Sequence, residues 1–464
     1  MTDQNVKDMN NILMKFRVVL VCILCTTFAL LNPYWDGFIF YLFTTIWLSG
    51  VFLPTQEALC IFGYSFFFSA LTGRADGTHY MWCVVMFGVL IRYIYGVIRK
   101  KERIAKYPMV VSIFFYLCSL LPMWNYSHFF GIAMAWMFLG PLYLIYIYRD
   151  RLDMIQINKG LFAGLVSSAL IGSFLHFVCK IPEYSIIFWR DRLQYFTDNP
   201  NNIGFACVLI IAGFIIAILK HRQNWWSGLL LISITILFGS QTKSKAFLLA
   251  LFVLTIVTVL ILIFKNKKVA LIAGVSAIAV FCLVFFCFRS YFDGMLNRFM
   301  YSGKVSIESI TTDRWEVWKI FFEKQKSRPV NIWLGMGAWT EIFLPDNGNT
   351  MLGCHSMYIE FFYYFGILGI INLILLMWSY AHTTQREKGK VKLFVKAEDV
   401  LPLLMVFVLG VGEMVIFNRK APFLIFAILY IFNGSKHIPV ESGMLERVKS
   451  LKIFKKNQKK KEVK

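Results

Sequence analysis

The chain is a succession of long apolar runs joined by short connections, and lysine and arginine concentrate on every second connection. About 20 apolar residues cross about 30 Å of hydrocarbon as a helix, and in lipid every backbone N–H and C=O must find a partner within protein. That pattern confines the chain to an all-α polytopic membrane bundle. Composition leads to the same class, because 58% hydrophobic and 16% charged residues in a chain of 464 cannot clothe a soluble domain in water.

The runs predict about fourteen spans. They fall near 16–31, 38–53, 56–71, 80–98, 109–123, 128–148, 160–179, 201–219, 225–239, 245–264, 269–288, 355–380, 400–417 and 421–434, and Pro54 divides the second from the third. Basic loops stay on the cytoplasmic side, which places Arg99–Lys106, Arg149–Lys159, Lys220–Arg222, Lys265–Lys268 and Arg386–Lys396 inside. An even number of spans then leaves both termini cytoplasmic. The expected organisation is a cytoplasmic N-terminus (1–15), eleven spans (16–288), one long external loop with short helices (289–354), three spans (355–434) and a basic cytoplasmic tail (435–464).

The formal charge of +22 is mostly this topology signal, with a lysine-rich tail suited to anionic headgroups. No reading module accompanies it, so nucleic acid is not an expected partner. The ten cysteines lie in or at the ends of apolar runs, where they behave as small hydrophobes; neither a disulfide framework nor a metal site is expected. Arg92 is the charge expected inside a span.

Basic residues on the external side run against the sorting rule and therefore mark candidate anion contacts. They are Arg190 and Arg192 before the eighth span, Lys243 and Lys245 at the mouth of the tenth, Arg289 to Arg328 in the long loop, and Arg419-Lys420. Lys243-Ser244-Lys245 opens a helix, where free backbone N–H groups and two ammonium groups suit phosphate oxygens. In the long loop, Asp313 with Glu316 forms a capping pair, and Trp315, Trp318 and Phe322 recur at helical spacing, as in a helix lying among headgroups. His355 opens the twelfth span, with Tyr358 close behind. On a straight helix Gly366 and Gly369 return to the His355 face, giving a narrow, smooth surface.

The order of these residues carries a resemblance. Arg314 with Trp315 and Trp318, then Gly335-Met336-Gly337, then His355-Ser356-Met357-Tyr358 continuing to Phe365-Gly366-Ile367-Leu368-Gly369 is similar to the O-antigen polymerase and ligase superfamily of bacterial surface-polysaccharide assembly. Upstream, Arg192-Leu193 with Asp198-Asn199-Pro200-Asn201, and the Lys243-Ser244-Lys245 turn, resemble two further elements of that family. The chain departs from it with Ser356 where asparagine is usual and Lys245 where arginine is usual. The resemblance covers roughly 190–434.

It implies a metal-independent, cofactor-free inverting glycosyltransferase in the bacterial cytoplasmic membrane, with an outward-facing site that joins undecaprenyl-pyrophosphate-linked oligosaccharide repeats into capsule, exopolysaccharide or O-antigen. Its expected partners are that lipid-linked donor and acceptor, membrane lipid, and the flippase and chain-length regulator of the same pathway. On this reading His355 and Arg314 are catalytic, and Arg192, Lys243, Lys245, Arg289 and Tyr358 bind pyrophosphate or substrate. A ligase acting on another acceptor and a flippase are the alternatives; the absence of internal repeats disfavours the flippase.

Overall fold

The computed structural model describes residues 3–73, 77–120, 135–181, 188–189, 192–193, 195–197, 199–265, 274, 289, 314–336, 355–387, 396–412 and 421–433. These are helical almost throughout. In chain order the helices are α1 (Asp3–Leu31), α2 (Phe38–Phe52), α3 (Thr55–Ser65, running on as a 3₁₀ segment Phe66–Thr72), α4 (Gly77–Ile98) and α5 (Lys106–Leu120). Then come α6 (Gly140–Tyr148), α7 (Met154–Ser173), α8 (Pro200–Leu219), α9 (Trp225–Gln241) and α10 (Lys245–Lys265). The last are α11 (Arg314–Lys326), α12 (Pro329–Leu334), α13 (Met357–Glu387), α14 (Ala397–Gly410) and α15 (Ala421–Asn433). Two two-residue strands, β1 (Phe188–Trp189) and β2 (Arg192–Leu193), pair antiparallel before α8.

Among the described residues, five helices are long and apolar enough to cross a membrane, with four shorter apolar helices beside them. The expected eleventh span, 269–288, apart from residue 274, and residues 290–313 and 337–354 of the long loop lie outside the described residues.

Helix α8 is the hub, buried along nearly its whole length. Its start is written in the sequence: Asn199 takes the N-cap and accepts from the Asn201 amide at 2.8 Å, and Pro200 supplies a preset φ at the first helical position. Gly204 lets Phe247 of α10 approach, and Gly213 does the same for Asn158 of α7 and Tyr430 of α15. A second close crossing joins α2 to α4, where Gly50 and Gly88 face each other and a Cβ on Gly88 would stand 2.4 Å from the Trp47 carbonyl oxygen. Small residues are what allow membrane helices to meet at this distance.

Ion pairs sort the bundle into two ends. Lys220–Asp399, Lys265–Glu398 at 2.8 Å, Arg222–Asp153 at 2.6 Å, Arg151–Glu102 at 2.5 Å and Arg17–Glu57 at 2.8 Å gather at one end, and they tie α8, α10 and α14 together there. Helix α14 starts in that cluster and so delivers its C-terminus to the opposite end. The turn between α9 and α10 lies at that opposite end too, because α8 runs away from Lys220 toward Gly204, which packs on Ser244 and Phe247.

Arg92 is not the single charge within an apolar segment, as the sequence reading had it. Glu57 and Glu360 are buried in such segments as well. Arg92 donates to Thr55 Oγ1 and lies 5.3 Å from the Tyr148 ring centroid, which repays part of its desolvation.

Candidate active site

Helix α13 is not the straight rod that the His355 and Gly366 spacing presupposes. Gly366 adopts φ 61°, ψ −163°, conformations that only glycine holds without strain, and the helix breaks there. The expected smooth face shared by His355, Gly366 and Gly369 is therefore corrected: the half-helix from Met357 to Phe365 points differently from the remainder.

A helix broken among apolar neighbours must find other partners for the carbonyls it strands. The loop elements α11 and α12 supply them. The Met336 amide donates to the Tyr363 carbonyl at 2.7 Å, and Gln325 Nε2 donates to the Phe362 carbonyl at 3.2 Å and the Asn331 carbonyl at 2.5 Å. Gly335, at φ 84°, makes the approach feasible, since a Cβ there would fall 2.2 Å from the Tyr364 oxygen. The Gly-Met of the sequence motif is thus a seat for the broken helix.

On α11 the buried face differs from the stripe expected of Trp315, Trp318 and Phe322. Trp315 and Phe322 are exposed; Phe321 is buried with its ring 4.7 Å from that of Tyr363, and Gln325 is buried beside it. Residues 314, 318, 321 and 325 share one helical face, and through Phe321 and Gln325 that face packs α11 on the half-helix. Asp313, the proposed cap partner of Glu316, lies outside the described residues.

Arg314 and the turn that follows His355 come together at the C-terminal end of α14. Arg314 Nη1 donates to the Gly412 carbonyl, placing a guanidinium on the negative end of the helix dipole. Met357 packs on Gly410, and Tyr358 Oη donates to the Phe407 carbonyl at 2.8 Å, one of the acceptors that the end of α14 leaves open. His355 is exposed two residues before Met357, in a left-handed conformation at φ 53°. The first turn of α13 and the first residue of α11 therefore flank one helix terminus.

Ser356 occupies the N-cap of α13: it is buried, and its carbonyl accepts from the Glu360 amide at 2.9 Å. Asparagine and serine serve almost equally at an N-cap, so the departure from asparagine is neutral for starting this helix. Glu360, one turn on, is a buried carboxyl that the sequence reading did not single out. Its signal was present, since it is the one charged residue between Met357 and Tyr380.

The remaining candidates separate. Lys243 sits in the left-handed residue of the α9–α10 turn at φ 48°, Ser244 is buried as the N-cap of α10, and Lys245 is the first helical residue. Tyr195 Oη donates to Gln241 at this turn, joining it to the segment that follows β2, and Arg192 pairs with Trp189 in the strand register. The turn and the Arg314–His355 group lie at the same end of the bundle. Arg289 is exposed and its neighbours on both sides lie outside the described residues, as do Arg190 and Arg419-Lys420.

Residues 228–374 match the family model described as O-antigen ligase. No curated protein matches the chain. The matched segment runs from α9 through the α9–α10 turn, α11 and α12 to the break in α13, so the geometry above falls largely within it. It points to a membrane glycan-processing enzyme, and the chain, through residues 228–374, is consistent with a member of the O-antigen polymerase and ligase superfamily.

Proposed function

We propose that the protein is a polysaccharide polymerase, an inverting, metal-independent glycosyltransferase acting on undecaprenyl-pyrophosphate-linked oligosaccharide repeats at the outer face of the bacterial cytoplasmic membrane. The observation that carries this reading is that Arg314 and the first turn of α13, which directly follows His355, both pack on the C-terminal end of α14. The ion-paired end of the bundle is taken as cytoplasmic, in accord with its lysines and arginines.

A sugar on pyrophosphate already carries its leaving group. The acceptor hydroxyl attacks the anomeric carbon from the face opposite the pyrophosphate, a new glycosidic C–O bond forms, and the bond to the pyrophosphate oxygen breaks with its electron pair. His355 takes the hydroxyl proton, a role worth about 10² to 10⁴ in rate. Arg314 stabilises the charge gathering on the departing pyrophosphate, at about 1.5–3 kcal/mol per charge-assisted contact. Lys243 and Lys245, with Arg192 and Arg289, hold the lipid pyrophosphates, and Tyr358 contacts the substrate beside them.

A ligase reading, in which the finished glycan passes to a different acceptor, keeps the same residues in the same roles, and the matching family model accommodates both. Purified protein in lipid vesicles, given a lipid-linked repeat unit alone or with a second acceptor lipid, separates the two. A ladder from the repeat unit alone supports polymerase, a single product on the second acceptor supports ligase, and either product at undiminished yield from His355→Ala or Arg314→Ala removes the proposed roles.

A further inference from the structure

We propose that Gln325 is a positioning residue for Arg314, acting through the break in α13; this rests on the catalytic reading of Arg314 given above. Gln325 is 2% exposed, and its amide reaches the Asn331 and Phe362 carbonyls together, so one side chain binds α12 and the half-helix of α13 to the far end of α11. Arg314 stands eleven residues earlier on the same face of the same helix, bound to Gly412. At about 100° and 1.5 Å per residue the two are nearly in line and about 16 Å apart.

Helix α11 is thus fastened at both ends: to α14 at Arg314, and to α12 and the half-helix of α13 at Gln325. Phe321 against Tyr363 packs between the fastenings but is apolar and does not set a register. The Gln325 amide does, because its two N–H groups must meet two fixed carbonyls. Losing it frees the far end of α11 to slide, and a rigid helix carries that displacement to the guanidinium. A shift of about 1 Å in a charge-stabilising group suffices for a loss of about 10² in rate.

The test is a kinetic double-mutant cycle on the full chain in vesicles, pairing Gln325→Met, which keeps length and removes the donors, with Arg314→Lys. Gln325→Met is expected to lower kcat about 10²-fold while KM for the lipid-linked unit stays within about twofold, and to cost less than about threefold in the Arg314→Lys background. Equal losses in the two backgrounds, or a loss carried by KM, would overturn the proposal.

Gln325→Glu, which preserves shape but lacks the amide donors, guards against a Met variant that fails to fold; wild-type turnover from it is likewise contrary. A wild-type protein that builds no product overturns the polymerase reading instead. The fastening is then read by trypsin: faster cleavage after Lys324 and Lys326 in Gln325→Met upholds it, and unchanged cleavage overturns it.

Discussion

Gly366→Ala is the substitution whose cost follows most directly from the geometry. Alanine at φ 61°, ψ −163° carries backbone strain of about 1–3 kcal/mol. Its Cβ would stand 2.5 Å from the Trp333 oxygen and 2.7 Å from the Gly335 nitrogen, both backbone atoms that no rotamer change can move. Relief requires α12 to withdraw, which breaks the 2.7 Å bond from the Met336 amide to the Tyr363 carbonyl and leaves buried groups unmade at about 1–3 kcal/mol each. The sum is on the order of 3–9 kcal/mol, concentrated in the contact between the loop and the half-helix. Gly73, also left-handed at φ 66° but with open space around it, makes the comparison: alanine there pays only about 1–2 kcal/mol of backbone strain. Hydrogen exchange followed by mass spectrometry reads the difference locally. With about 1.4 kcal/mol per tenfold, amides of 330–336 should exchange at least about 100-fold faster in Gly366→Ala, with glycan synthesis falling alongside, and at the wild-type rate in Gly73→Ala. Wild-type exchange at 330–336 in Gly366→Ala would mean that α12 is not seated on the break.

Two further outcomes concern the scaffold. Lys220→Met leaves the Asp399 carboxyl, 1% exposed, without its ammonium partner, and should cost about 3 kcal/mol, most of which returns in Lys220→Met/Asp399→Leu; equal thermal unfolding of the single and double variants would contradict this. Gly88→Ala brings a Cβ to 2.4 Å from the Trp47 oxygen and 2.9 Å from the Gly50 Cα, forces α2 from α4, and should lower stability by about 1–3 kcal/mol in a thermal melt; an unchanged midpoint would show that the crossing is looser than described.

The helices were largely legible because hydrophobic length and punctuation are local properties. Expected spans at 38–53, 80–98, 201–219, 225–239 and 245–264 meet helices at Phe38–Phe52, Gly77–Ile98, Pro200–Leu219, Trp225–Gln241 and Lys245–Lys265. The partition of lysine and arginine along the chain also anticipated which loops meet at one end, since Lys220, Arg222 and Lys265 do gather there. The break at Gly366 was not legible. Glycine in an apolar run reads equally as a packing surface or a fracture, and only the arrival of Trp333 and Gly335 against it decides between them. Gln325 and Glu360 were overlooked for a related reason: a polar residue in a loop helix, or one acid in an apolar run, shows its importance only through the groups buried around it.

By itself the sequence determined the class of solvent the chain lives in and the rough bounds of most of the described helices, because each follows from hydrophobicity, capping and charge along a short stretch. The tertiary structure alone decided that α13 fractures, that α11 and α12 repair the fracture, and that Arg314 and the first turn of α13 flank the end of α14. Those outcomes depend on which stranded carbonyl meets which distant donor, and no segment carries that information until the helices have packed.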